Sequence, residues 1–162
     1  MTFMGVYYYY VNETRSQYFC IDPSGRDIKQ YAVGHNIGSR AFSYLLLDKN
    51  EYATGVKDHP LVGSWIGDRC YITGDDYCTS FAKIQTEYED IGQQVIELMV
   101  HNDPWELLQY GGVDWLLDLI QQNGQFITIT NEMRKRMSHV FRCARQESPG
   151  EDLDRICEAL KR

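Results

Sequence analysis

The sequence predicts an α+β fold: an N-terminal antiparallel β-sheet with one short helix, followed by a C-terminal group of about four helices packed on it. Three observations carry this. Aromatic and β-branched residues run together near the start. A polar turn divides them into two strand-like pieces. From Tyr88 onward the apolar residues recur at helical spacing and keep that period to the end. Strands followed by helices point to α+β rather than to alternating βαβ units. The 162 residues fit one domain able to bury a core, β-rich over residues 1–86 and helical over residues 87–162.

The elements follow in order. Gly5-Val6-Tyr7-Tyr8-Tyr9-Tyr10-Val11-Asn12 reads as a strand. Glu13-Thr14-Arg15-Ser16 is turn-like, and Gln17-Tyr18-Phe19-Cys20-Ile21 returns as the second strand of a hairpin. Asp22-Pro23-Ser24-Gly25 has turn chemistry. Ser39 is the expected N-cap of a short helix carrying Phe42, Leu45 and Leu46 on one face. Residues 48–63 read as a loop. Trp65 to Asp76 has a strand-like middle with Gly-Asp at either end, and residues 77–86 carry no clear period. Ile91, Val95, Leu98 and Met99 mark a helix with Glu89 and Asp90 in its first turn, where the dipole favours anions.

Asp103-Pro104-Trp105-Glu106 is a capping arrangement with Asp as cap, Pro at the first helical position and Glu reaching back. That helix stops at Gly111-Gly112. Val113–Gln122 carries Trp115, Leu116, Leu119 and Ile120, and Asn123-Gly124 ends it. Gln125–Ile129 is a brief strand or extended linker. Thr130 or Asn131 caps the next helix, striped by Met133, Met137, Val140, Phe141 and Ala144. Ser148-Pro149-Gly150-Glu151 repeats the cap grammar before Leu153, Ile156, Cys157 and Leu160.

Composition excludes several classes. A net charge of −7 argues against a general nucleic-acid binder, which needs a basic surface. Cys20, Cys70, Cys78, Cys143 and Cys157 are odd in number and lack C-x-x-C spacing, so reduced thiols and a cytoplasmic location are expected. The start of the chain has no secretory pattern, and no apolar run is long enough to cross a membrane. Twelve tyrosines suit both a core and a contact surface.

Val11-Asn12-Glu13-Thr14-Arg15, Gly63-Ser64-Trp65-Ile66-Gly67-Asp68-Arg69, Ile72-Thr73-Gly74-Asp75 and Tyr88-Glu89-Asp90-Ile91 together resemble a scattered family of small uncharacterised proteins. The resemblance covers residues 5–100. It implies that these segments form one structural unit and implies no activity.

Two regions are candidate binding sites. In the first, Trp65, Asp68, Arg69, Asp75 and Asp76 gather at the ends of one strand. Carboxylates there could hold a polar ligand or hard cation, or Asp68 could simply hold Arg69 or a loop. In the second, charge is segregated. No Lys or Arg lies between Ile84 and Glu132, whereas Arg134, Lys135, Arg136, Arg142 and Arg145 follow in one helix. Segregated charge steers a partner, or it pairs inside the fold.

Gly34–Arg40 is a glycine-containing helix entry that could hold an anion, but it lacks the P-loop lysine. His139 and Cys143, four apart on a helix, can touch without implying chemistry. No metal or cofactor is expected, since no ligand spacing or catalytic signature is present. The functional expectation is a non-enzymatic protein-binding protein of adaptor, inhibitor or immunity-like kind. The alternative is a small enzyme or ligand-binding domain centred on Trp65–Asp76. A nucleic-acid role for the basic helix ranks third and requires that helix exposed and unpaired.

Overall fold

A computed structural model describes residues 8–21, 36–48, 56, 58–74, 78–121 and 127–162. Strands β1 (Tyr8–Asn12) and β2 (Gln17–Phe19) form the expected hairpin, with Tyr10 opposite Phe19 and Asn12 opposite Gln17. Ser16, at φ +52°, closes its turn. Strand β3 (Cys70–Gly74) lies antiparallel along the other edge of β1. The sheet has the order β3-β1-β2-β4, where β4 is Glu89–Asp90.

β4 runs parallel to β2, so the sheet is mixed rather than wholly antiparallel. A parallel return needs a crossover rather than a tight turn. Helix α2 (Cys78–Glu87), in the stretch without a clear period, lies between β3 and β4 in the chain. Glu89 and Asp90 therefore do not sit in the first turn of a helix. The Glu89 N–H donates to Ser16 O at 2.8 Å and the Ile91 N–H to Tyr18 O at 2.9 Å. Helix α3 (Gly92–Asn102) starts only afterwards, and Asp90 Oδ1 accepts from the Gly92 N–H at 2.8 Å.

Alternation divides the tyrosines of β1 between two faces. Tyr10 is buried and stacks on Phe19 at 4.9 Å. Tyr9 turns the other way, against Tyr18 and against Phe81 of α2. Helix α1 (Ile37–Leu45) covers the Tyr10 face, where Phe42 meets both Tyr10 and Trp65. Its cap is Asn36, not Ser39. The Asn36 side chain accepts from the Ser39 N–H and the Ser39 hydroxyl accepts from the Asn36 N–H, a closed capping box. The helix thus starts earlier than expected. Ala41, Tyr44 and Leu45 are buried, Phe42 is half-buried, and Leu46 is exposed.

The C-terminal helices are α3, α4 (Pro104–Gly111), α5 (Val113–Gln121), α6 (Asn131–Glu147) and α7 (Glu151–Ala159). Asp103 caps α4, with Pro104 at its first position. Gly112, at φ +83°, supplies the left-handed residue that ends it. Thr130 caps α6. The cap of α7 is Gly150, which has no side chain to offer, and Ser148 instead ends α6. Residues 127–130 form an extended linker rather than a strand. Gln93 pins it by exchanging two hydrogen bonds with the Thr128 backbone, at 2.8 and 2.9 Å. One hydrophobic cluster runs from Tyr10, Phe19 and Trp65 through α3 to Met137, Phe141 and Ile156.

Candidate functional site

The first predicted region is a clasp. Trp65 is fully buried, and its indole N–H donates to Gln17 Oε1 at 3.1 Å. Asp68 reaches back to the hairpin turn rather than to its neighbour Arg69. Its Oδ2 accepts from Asn12 Nδ2 at 2.8 Å and Arg15 Nε at 2.5 Å. Asn12 is fully buried, and its Oδ1 accepts from the Arg15 N–H at 2.9 Å. Arg69 turns outward to Glu13 at 2.8 Å, while its N–H donates to Thr14 Oγ1 and its carbonyl accepts from the Glu13 N–H. Gly67, at φ +78°, makes the bend that allows this. The Asn12 amide first, and the Arg15 guanidinium second, hold the Asp68 carboxyl below the ordinary carboxylate range. Asp75 and Asp76 lie outside the described residues, as do Gly34 and His35 of the glycine-containing entry.

Arg40, from that entry, joins a second polar cluster between α1 and α4. Its Nε and Nη2 both donate to Glu106 Oε1, at 2.9 and 2.5 Å. The buried Tyr44 hydroxyl donates to Glu106 Oε2 at 2.7 Å and accepts from Asn102 Nδ2 at 2.5 Å. Glu106 therefore does not reach back to its helix cap. Burial, then the carboxylate beside it, pushes the Tyr44 hydroxyl far above the ordinary phenol range. This group stays protonated as a donor and is not poised as a base. Sequence reasoning missed the cluster. Its only signals were an Arg in the first helix and a Glu on a helical face otherwise apolar.

The basic helix is largely turned inward. Arg136 Nε donates to the carbonyls of Val100 and His101, at 3.0 and 3.1 Å, at the end of α3. Arg134 Nη1 donates to the carbonyls of Ala159 and Leu160, at 3.4 Å each, at the end of α7. Each cation thus satisfies orphan carbonyls where a helix dipole is negative. Arg145 pairs with Asp154 at 3.4 Å. Lys135 and Arg142 remain outward and form no ion pair among the described residues. Glu132 and Glu147 stand exposed at the two ends of the same helix.

Among the described residues, surface grooves lie on the helical half, and two of them bear on binding. The larger, about 820 Å³, runs between α5 and α7 and includes Asp114, Asp118, Arg145, Asp154, Arg155 and Glu158. Its charges alternate, and Arg155 bridges to Asp114 at 3.4 Å. The smaller, about 440 Å³, lies between the start of α4 and α6. Trp105, 40% exposed, forms one wall, with its ring 6.3 Å from that of the buried Phe141. His139, Val140, Cys143 and Ala144 form much of the other wall. Cys143 is an exposed free thiol, as expected of an unpaired cysteine. Cys70 and Cys157 are free as well. Sequence reasoning placed Trp105 only in a cap.

Among the described residues no group of His, Cys, Asp and Glu could hold a metal ion. No described helix is long and apolar enough to cross a membrane. No family model, curated protein or solved structure matches the chain, so the reading of these sites rests on their own geometry.

Proposed function

We propose that the chain is a non-enzymatic protein-binding protein, of adaptor, inhibitor or immunity-like kind, that meets its partner on the helical half. The observation that carries this reading is Trp105. A large indole stands 40% exposed on the wall of an apolar groove, propped by Phe141. Tryptophan in such a setting is a common anchor of protein interfaces, because it offers much contact area at little conformational cost. The occupant of the groove is an apolar side chain of the partner, seated on Trp105, Val140 and Ala144. The one carboxylate lining it, Glu147, sets register rather than bulk attraction. The free thiols agree with a cytoplasmic protein. The clasp and the Arg40 cluster favour this reading over the alternative of a small enzyme at Trp65–Asp76, since their described polar groups already hold one another.

The test is affinity capture at native expression in low salt, comparing the wild type with Trp105→Ala and with Ile66→Ala. Ile66, 49% exposed outside the groove, controls for the loss of any surface apolar group. The expected result is a partner held by the wild type and by Ile66→Ala, and held at least about tenfold more weakly by Trp105→Ala. Recovery of the wild type as a lone monomer, or equal capture by all three, overturns the reading.

A further inference from the structure

Two histidines from distant parts of the chain meet at the C-terminal end of α3. His59 lies in the turn Asp58–Val62 and His101 in the last turn of α3, with ring centroids 5.6 Å apart. Their hydrogen bonds fix both tautomers. His59 Nδ1 is 3.2 Å from the Leu61 N–H, which can only donate, so Nδ1 carries a lone pair. His101 Nε2 is 3.1 Å from the Asp58 carbonyl, which can only accept, so Nε2 carries a proton. The same turn is tied by the Val62 N–H to the His59 carbonyl at 3.0 Å. Beyond it the chain is anchored to α1 by the Gly63 N–H on Tyr44 O and the Trp65 N–H on Leu45 O. The turn is thus held by α1 at its far end and, at its near end, by the His101 bond to the Asp58 carbonyl, while His59 closes the turn internally through Leu61. The buried Val62 lies between.

Adding a proton to His59 breaks this arrangement on geometric grounds. A proton on Nδ1 would point at the Leu61 N–H, so two donors would face one another in place of a hydrogen bond. The surrounding charge does not remove the conflict. α3 presents His101 and Glu97, and the turn presents Asp58. α6 presents the Arg136 guanidinium, already seated on the His101 carbonyl. Glu97 accepts from Gln93 Nε2 at 2.9 Å, so its carboxylate has a partner of its own. Burial first, and the neighbouring His101 second, lower the affinity of His59 for a proton below the ordinary imidazole range.

We propose that the Asp58–Val62 turn is a pH-operated latch: neutral His59 closes the turn on itself through Leu61, beside His101 of α3, and protonation of His59 opens it. The direction follows from linkage. The open turn, with an ordinary imidazole, binds a proton at higher pH than the closed turn. Closure is therefore strongest above the ordinary midpoint and is lost as pH falls toward that of the closed form. Opening frees Leu61 and Val62 from the core while α1 keeps the far end in place.

The experiment is amide hydrogen exchange with histidine ring titration by NMR on the full chain, from about pH 7.5 to about pH 5. After correction for intrinsic exchange, opening at Leu61 and Val62 is expected to rise by about tenfold per pH unit between the ordinary midpoint and that of His59. Opening at Leu98, inside α3, stays unchanged. His59→Asn keeps an acceptor for the Leu61 N–H but cannot titrate, so its opening is expected to be flat with pH. Three results would overturn the latch: a flat Leu61 profile in the wild type, Leu98 opening together with Leu61, or a His59→Asn profile that still follows pH.

Discussion

The clasp at Asp68 and the cluster at Glu106 are built from the same parts, an arginine on a carboxylate with an amide beside it. The two carboxylates are equally shielded, each with 12% of its side chain exposed, and the arginines differ modestly, at 50% for Arg15 and 36% for Arg40. What separates them is what stands behind the ion pair. Asp68 rests on one buried group, the Asn12 amide. Glu106 supports a chain of buried groups, since Tyr44 donates to it and Asn102 donates to Tyr44. The clasp folds a hairpin turn onto its neighbouring strand, whereas the cluster ties α1 to α3 and α4. Carboxylate burial alone therefore does not rank the two. The number of buried partners left without an acceptor does.

The largest effect expected is from Glu106→Ala. It strands the Tyr44 hydroxyl and leaves the Arg40 guanidinium without its anion, at a cost of about 3 kcal/mol, or about 9 °C in Tm. Urea unfolding checks it. A loss below about 1 kcal/mol would mean that water re-enters freely and that the two regions are alike. Next comes Asn12→Ala, at about 2 kcal/mol, because the lost amide, itself fully buried, leaves the Arg15 N–H and one bond to Asp68 unmade. Arg15→Ala should cost less than about 1 kcal/mol, since Arg15 is half exposed. The reverse order would show that the ion pair, not the amide, closes the clasp.

Much of this fold was legible because its helices carry strong stripes. Met133, Met137 and Phe141 of α6, and Leu153 and Ile156 of α7, are buried where their spacing placed them. Two elements were hidden. β4 is only two residues long, and Glu89 and Asp90 are charged, so pairing with β2 rather than composition makes them a strand. α2 has few apolar residues among its polar ones, and Phe81 docks on Tyr9 of the sheet. At the sites, residue types were readable and partners were not. Asp68 was expected to hold Arg69 or a loop; it holds the hairpin loop through Arg15, distant in sequence but close in space. For Arg134 and Arg136 the sequence left two readings open, a partner-steering face or pairing inside the fold. Their acceptors are backbone carbonyls at helix ends, and any residue supplies a carbonyl, so no sequence pattern marks them.

The smallest effect expected sharpens the same comparison through pH. In the folded chain the Asp68 carboxyl titrates below its ordinary range, with the Asn12 hydrogen bond as first cause and Arg15 as second. A group lowered on folding contributes stability above its unfolded midpoint and loses it as pH falls toward the folded one. The acid limb of the wild type, read as urea midpoint from about pH 6 to about pH 3, therefore contains a component from Asp68. Asp68→Asn should remove that component and flatten the limb. Asn12→Ala should flatten it more than Arg15→Ala does, because the buried amide holds the ionised form more strongly than the half-exposed guanidinium. Equal flattening by the two variants would place the anion's stabilisation in solvent-screened charge, and the clasp would then be a surface pair like Lys83–Glu87 rather than a lesser version of the Glu106 cluster.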